Sequence, residues 1–163
     1  MSEGIRVERP AEDVFDFWRE LSNLPRFMTY VERVDQRTDG ISHWVIKGPG
    51  GVTLEWDARV INEERPTLLA WESIGSPDVA SAGSVKFTSL GPESTDVEVT
   101  LQYDPPAGKV GAGMAAIVGL SPEKILREDL LRLKQLLESD EWRTGTRAGT
   151  DAAQVWLHGR GEV

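Results

Sequence analysis

Few residues of this chain have the type and spacing to do covalent chemistry. It holds no cysteine and two histidines, His43 and His158. That leaves no disulfide, no thiolate nucleophile and no zinc–thiolate centre, and two distant histidines do not make a histidine-rich metal site. His43 stands directly before Trp44, so in a strand it points away from the Trp44 face. A general base needs a pocket position and an orienting carboxylate, and an outward place puts His43 outside any pocket. By the same alternation Glu55, Asp57, Arg59 and Glu98 read as a solvated cross-strand charge array, not as catalytic carboxylates. Tyr103 is the one catalytic candidate, a hydroxyl on an inward phase that can trade a proton. Residues 108–120 (GKVGAGMAAIVGL) are glycine-rich, but the GxxxxGK[ST] order of a phosphate loop is absent. They read as a connector of small residues or as a pliable lid, with Met114 and Ile117 reaching a ligand. No metal site and no cofactor is predicted.

The elements that must position these residues follow from periodicity. Residues 4–9 alternate, with Ile5 and Val7 on one side, and predict a strand. Ala11, Val14, Phe15, Trp18 and Leu21 fall at helical spacing, with Glu12 and Asp13 in the first turn. Asn23 and Pro25 predict a cap and first turn for a very short helix over residues 26–30. From 31 to 103 the period is two. Six strands are expected there as an antiparallel meander, broken at Thr38-Asp39-Gly40 and Gly48-Pro49-Gly50-Gly51, among other turns. One sheet face is then buried and needs a cover. Ser121-Pro122-Glu123 starts that cover, and Ile125, Leu126, Leu130, Leu133 and Leu137 continue it to about residue 138. The fold class is α+β: about seven antiparallel strands curved around a long C-terminal helix.

Length and charge bound the rest. A chain of 163 residues fits one domain, expected over 1–138, with 139–163 as a flexible tail. Eighteen basic residues against 27 acidic ones give a net charge of −9, which makes nucleic acid a poor partner. No apolar run is long enough to span a membrane, so stable insertion is not expected, although transient membrane contact is compatible. No signal peptide is visible, which predicts a cytoplasmic protein. A monomer or weak homodimer is expected.

Five segments carry a family resemblance: IRVERPAEDVFDFWRELSNLPRFM, SHWVIKGPGGVTLEWDARV, AGSVKF, VTLQYDPPAGKVG and ILREDLLRLKQLLE. With them the chain, from Ile5 to Leu137, resembles the START-related superfamily of polyketide cyclase/dehydrase and lipid transport proteins. Within it the coenzyme Q-binding START group is the most similar. The resemblance implies the helix-grip fold and a hydrophobic ligand held between sheet and long helix.

The inward phase then supplies the ligand-binding candidates: Trp44, Ile46, Trp56, Ala58, Trp71, Val85, Phe87, Val99, Leu101 and Tyr103 from the sheet. Leu126, Leu130 and Leu133 come from the helix, and Met114 and Ile117 from the lid. Each also serves as plain core. The expected function is binding or transport of a hydrophobic small molecule: a quinone, a lipid or a polyketide-like ring system. The alternatives are a polyketide cyclase/aromatase or dehydratase, and a protein-interaction module.

Overall fold

Alternating apolar and charged residues open the chain as β1 (Ser2–Val7), whose Val7 is fully buried. Pro10 then sets an extended φ/ψ and α1 (Ala11–Arg19) follows, with Glu12 and Asp13 in its first turn. Val14, Phe15, Phe17 and Trp18 are its buried face. The computed structural model describes residues 1–48, 51–75, 77, 80–103, 122–139 and 142. Over these the remaining elements are β2 (Val31–Gln36), β3 (Ile41–Lys47), β4 (Thr53–Glu64), β5 (Leu68–Ile74), β6 (Ser81–Gly91), β7 (Ser94–Tyr103) and α2 (Pro122–Glu138).

All seven strands form one antiparallel sheet in the order β1-β7-β6-β5-β4-β3-β2. The meander is therefore consecutive from β2 to β7, and β1 closes on β7. At the β2–β3 turn Gly40 adopts φ 81°, a left-handed conformation that costs glycine little. The Asp39 carboxylate accepts the Ile41 amide there at 3.1 Å.

α2 covers the apolar face with Leu126, Leu130, Leu133, Leu136 and Leu137, all buried. Each such side chain stabilises by roughly 1.5–3 kcal/mol. Its far end is fixed by Arg9, whose guanidinium donates to the carbonyls of Leu137 (2.7 Å) and Glu138 (3.0 Å). These are carbonyls a helix leaves unpaired, met by a cation at the negative end of the dipole.

Two local expectations fail. The helix over residues 26–30 does not form; a 3-10 helix over Leu21–Arg26 takes its place, with Pro25 inside it. Residues three apart eclipse in a 3-10 helix, which sends both Leu21 and Leu24 into the core. Asn23 caps nothing forward. Its side-chain amide instead donates back to the Phe17 carbonyl at 2.9 Å, closing the end of α1. α1 stops at Arg19 because Glu20 leaves the helical region, at φ −74° and ψ 86°.

Gly83 sits in mid-β6 opposite Trp71 on β5 and Leu101 on β7. A Cβ there would lie 2.5 Å from Cζ2 of Trp71 and 3.0 Å from Cδ2 of Leu101. The indole thus occupies space a side chain would need. Gly83→Ala is expected to destabilise the fold by about 1–3 kcal/mol through overpacking, read from urea denaturation. Unchanged stability would mean that the Trp71 ring moves aside freely.

Candidate functional site

Where α2 diverges from β3–β5 the molecule keeps a cavity of about 200 Å³. Trp44, Trp56 and Trp71 form its sheet wall, with Ile46, Leu54 and Leu101 beside them, and Ile125 and Leu126 face them from α2. Met28, Tyr30 and Val31 close one end, and Ser81, Ala82 and Gln102 contribute at the strand ends.

The indoles are ordered by the sheet register. Trp44 and Trp56 are direct cross-strand partners, with ring centroids 6.3 Å apart and planes 16° apart. Trp71 lies 6.0 Å from Trp44 at 19°. Offset, near-parallel stacking is a favoured aromatic arrangement. The Trp44 indole N–H donates to the buried Ser42 hydroxyl at 2.9 Å. The Trp56 indole N–H is buried and has no partner among the described residues.

One ionisable residue of the wall was not among the sequence candidates. Asp129 on α2 is 6% exposed and lines the cavity. Its Oδ1 accepts the Thr29 amide (3.1 Å), the Thr29 hydroxyl (2.9 Å) and the Arg132 guanidinium. Arg132 also donates to the Phe27 carbonyl at 3.1 Å. Burial pushes the Asp129 carboxyl above the usual carboxylate range, outweighing the opposite pull of Arg132 and Thr29. The signal was present in the spacing: 129 lies three residues after Leu126 and four before Leu133, on the inward face.

The structure divides the other candidates. Trp44, Ile46, Trp56, Trp71, Leu101 and Leu126 lie on the cavity wall. Ala58, Val85, Phe87, Val99, Leu130 and Leu133 do not. They are at most 1% exposed and pack in the solid core, where α1 lies over β6 and β7. Phe15 and Trp18 stand edge-on to Phe87 at 5.4 and 6.3 Å. Met114, Ile117 and the Tyr103 side chain lie outside the described residues; the Tyr103 backbone ends β7 opposite Ser81. Arg26 is away from the cavity, its guanidinium 5.2 Å above the Phe17 ring. Trp142 packs edge-on against the other side of the core, 6.3 Å from Phe17. Among the described residues no group of three metal-ligating side chains comes together, and no helix is long and apolar enough to cross a membrane.

A seven-stranded sheet gripping a C-terminal helix, with an apolar hollow between them, defines a helix-grip protein with an internal cavity. Residues 7–130 match the family of polyketide cyclase / dehydrase and lipid transport proteins. The chain belongs to that family. It is 30% identical over 147 residues to an uncharacterized 17.2 kDa protein of Streptomyces lincolnensis, covering 89% of this chain and 93% of the other. A crystal structure from Deinococcus radiodurans superposes with a TM-score of 0.68 at 29% identity, over 84% of this chain and 95% of that one. The Zhui aromatase/cyclase from Streptomyces sp. R1128 shares the fold at TM-score 0.65 and 14% identity, over 85% and 93% of the two chains.

His43 lies on the opposite sheet face, with Nδ1 2.8 Å from Asp57 and Nε2 3.2 Å from Glu55. Asp57 also pairs with Arg37 at 3.6 Å, and Arg59 with Glu72 at 3.0 Å. The histidine thus has its carboxylates but no pocket. Its pKa is raised, first by the hydrogen bond to Asp57 and then by that to Glu55. A raised folded pKa gives stability that is full below the unfolded value of 6.5 and lost as pH rises through the folded value. His43→Gln is therefore expected to lower the urea midpoint at about pH 6 and to match the parent at about pH 9. An equal loss at both would mean that the imidazole acts by packing alone.

Proposed function

We propose that the protein binds a small, largely apolar, ring-containing molecule in the cavity between β3–β5 and α2. The observation that carries this is the wall of three near-parallel indoles facing unfilled space. Apolar surface left facing empty space forfeits the contacts that a packed core makes, and an apolar occupant restores them. Apolar cavities also hold water poorly, so an apolar occupant is the favourable filling. The volume lies below the ~300–1,000 Å³ of drug-sized sites, which favours a ligand of one or two rings over a long acyl chain or a polycyclic polyketide.

A second reading has one observation in its favour. Asp129, with its carboxyl pKa raised by burial, stands in the wall with Tyr30. Raised carboxyl groups suit proton transfer near neutrality, as a cyclase, aromatase or dehydratase requires. On this reading the same cavity turns its ligand over.

Native mass spectrometry of protein purified from cells is expected to find a bound small molecule. Titration with naphthol-type and hydroquinone probes is expected to change tryptophan emission at micromolar concentration. If nothing co-purifies and no probe alters the emission, the cavity is not a ligand site.

A further inference from the structure

The two oxygens of Asp129 are used unequally. Oδ1 takes all three donors, the Thr29 amide, the Thr29 hydroxyl and Arg132. None of the described residues donates to Oδ2. A carboxylate buried to 94% would ordinarily have both oxygens paired, since an unmet acceptor in a low-dielectric interior is costly. Oδ2 is also not sealed among protein atoms, for it is not one of the buried side-chain atoms left without a hydrogen bond. Asp129 lines the cavity. With Oδ1 turned to Thr29 and Arg132, Oδ2 is the oxygen the cavity contents meet.

We infer that Asp129 Oδ2 is the polar anchor of the site and selects ligands that present a hydrogen-bond donor: a flat one- or two-ring molecule with a hydroxyl or ring N–H at one end. This rests on the binding function proposed above and narrows it. The ring lies along the planes of Trp44, Trp56 and Trp71, and the donor points to α2. A quinone, which offers only carbonyl acceptors, is disfavoured at this oxygen, whereas its dihydroxy form fits. Arg132 and Thr29 do not compete for the ligand. They hold the carboxylate from its other side, so that Oδ2 is presented in a fixed direction.

The anchor also ties the ligand to the chain entering β2. Oδ1 and Arg132 grip Phe27 and Thr29, while Met28 and Tyr30 line the cavity. A purely structural role, with Asp129 only stapling this segment to α2, accounts for Oδ1 and makes no use of Oδ2.

Calorimetric titration of the full-length protein with two matched pairs, naphthol against its methyl ether and indole against N-methylindole, tests the inference. Each pair keeps the ring and removes the donor. The donor-bearing member is expected to bind about tenfold tighter or more, as for hydrogen bonds to charged groups. In Asp129→Asn the side-chain oxygen still serves Thr29 while an amide N–H₂ replaces Oδ2, and the preference is expected to vanish. Equal affinities within both pairs in the parent protein would overturn the anchor and leave the binding function standing. A preference that survives in a folded Asp129→Asn would overturn it too, since the donor would then be read elsewhere. If no member of either pair binds, the proposed binding function fails and the anchor with it. The parent-protein comparison decides the matter even where the variant does not fold.

Discussion

Phe15 and Trp18 of α1 stand edge-on against Phe87 of β6, and that aromatic contact divides the sheet into two halves with different uses. Around it Val85, Val97 and Val99 are fully buried and the face is solid. Over β3–β5 Trp44, Ile46, Leu54, Trp56 and Trp71 line a hollow instead. The division also explains why apolar mass is spent so unevenly. α1 needs Phe15, Phe17 and Trp18 to fill its half, whereas the other half carries three indoles that stack side by side and still leave about 200 Å³. Gly83 belongs to the same arrangement, because only a residue without Cβ lets the Trp71 ring lie where it does.

Much of this was legible in the residues. Period-two alternation placed Trp44, Trp56 and Trp71 on one face, since each strand's phase is fixed by its buried neighbours. The Ser-Pro-Glu start and leucine spacing located α2, which runs Pro122–Glu138. What alternation does not encode is the position along a strand at which a helix crosses it. Ala58, Val99 and Leu130 share the inward phase with the indoles, yet they lie under packed side chains and not on the cavity wall. The 3-10 helix was missed for a related reason. Asn23 and Pro25 signal a helix start, but the i, i+3 pair Leu21/Leu24 and the burial it brings decided the local geometry.

The polar part of the site was the least legible. Asp129 occupies a leucine-type position on α2, and a single acid there is easily passed over among the charged residues of neighbouring faces. Its meaning comes from tertiary partners a hundred residues away in sequence, Thr29 foremost. His43 makes the reverse case. It has two carboxylates within hydrogen-bond reach but sits on the sheet face opposite the indole wall. Family membership carries the fold, and the sheet–helix hollow is seen in this chain's own packing. The indole wall and the half-paired carboxylate line that hollow, and on the binding proposal they would set the size and polarity of an occupant.

If the hollow under the three indoles is where a ligand sits, the indoles themselves report its arrival. The most direct measurement follows the indole N–H resonances of the six tryptophans in a ¹⁵N–¹H spectrum during titration with naphthol. Trp44, Trp56 and Trp71 are expected to shift together and saturably, while Trp18, sealed in the α1 half of the core, stays in place. Saturation that leaves those three unmoved, or that moves Trp18 instead, would contradict a ligand site under the indoles.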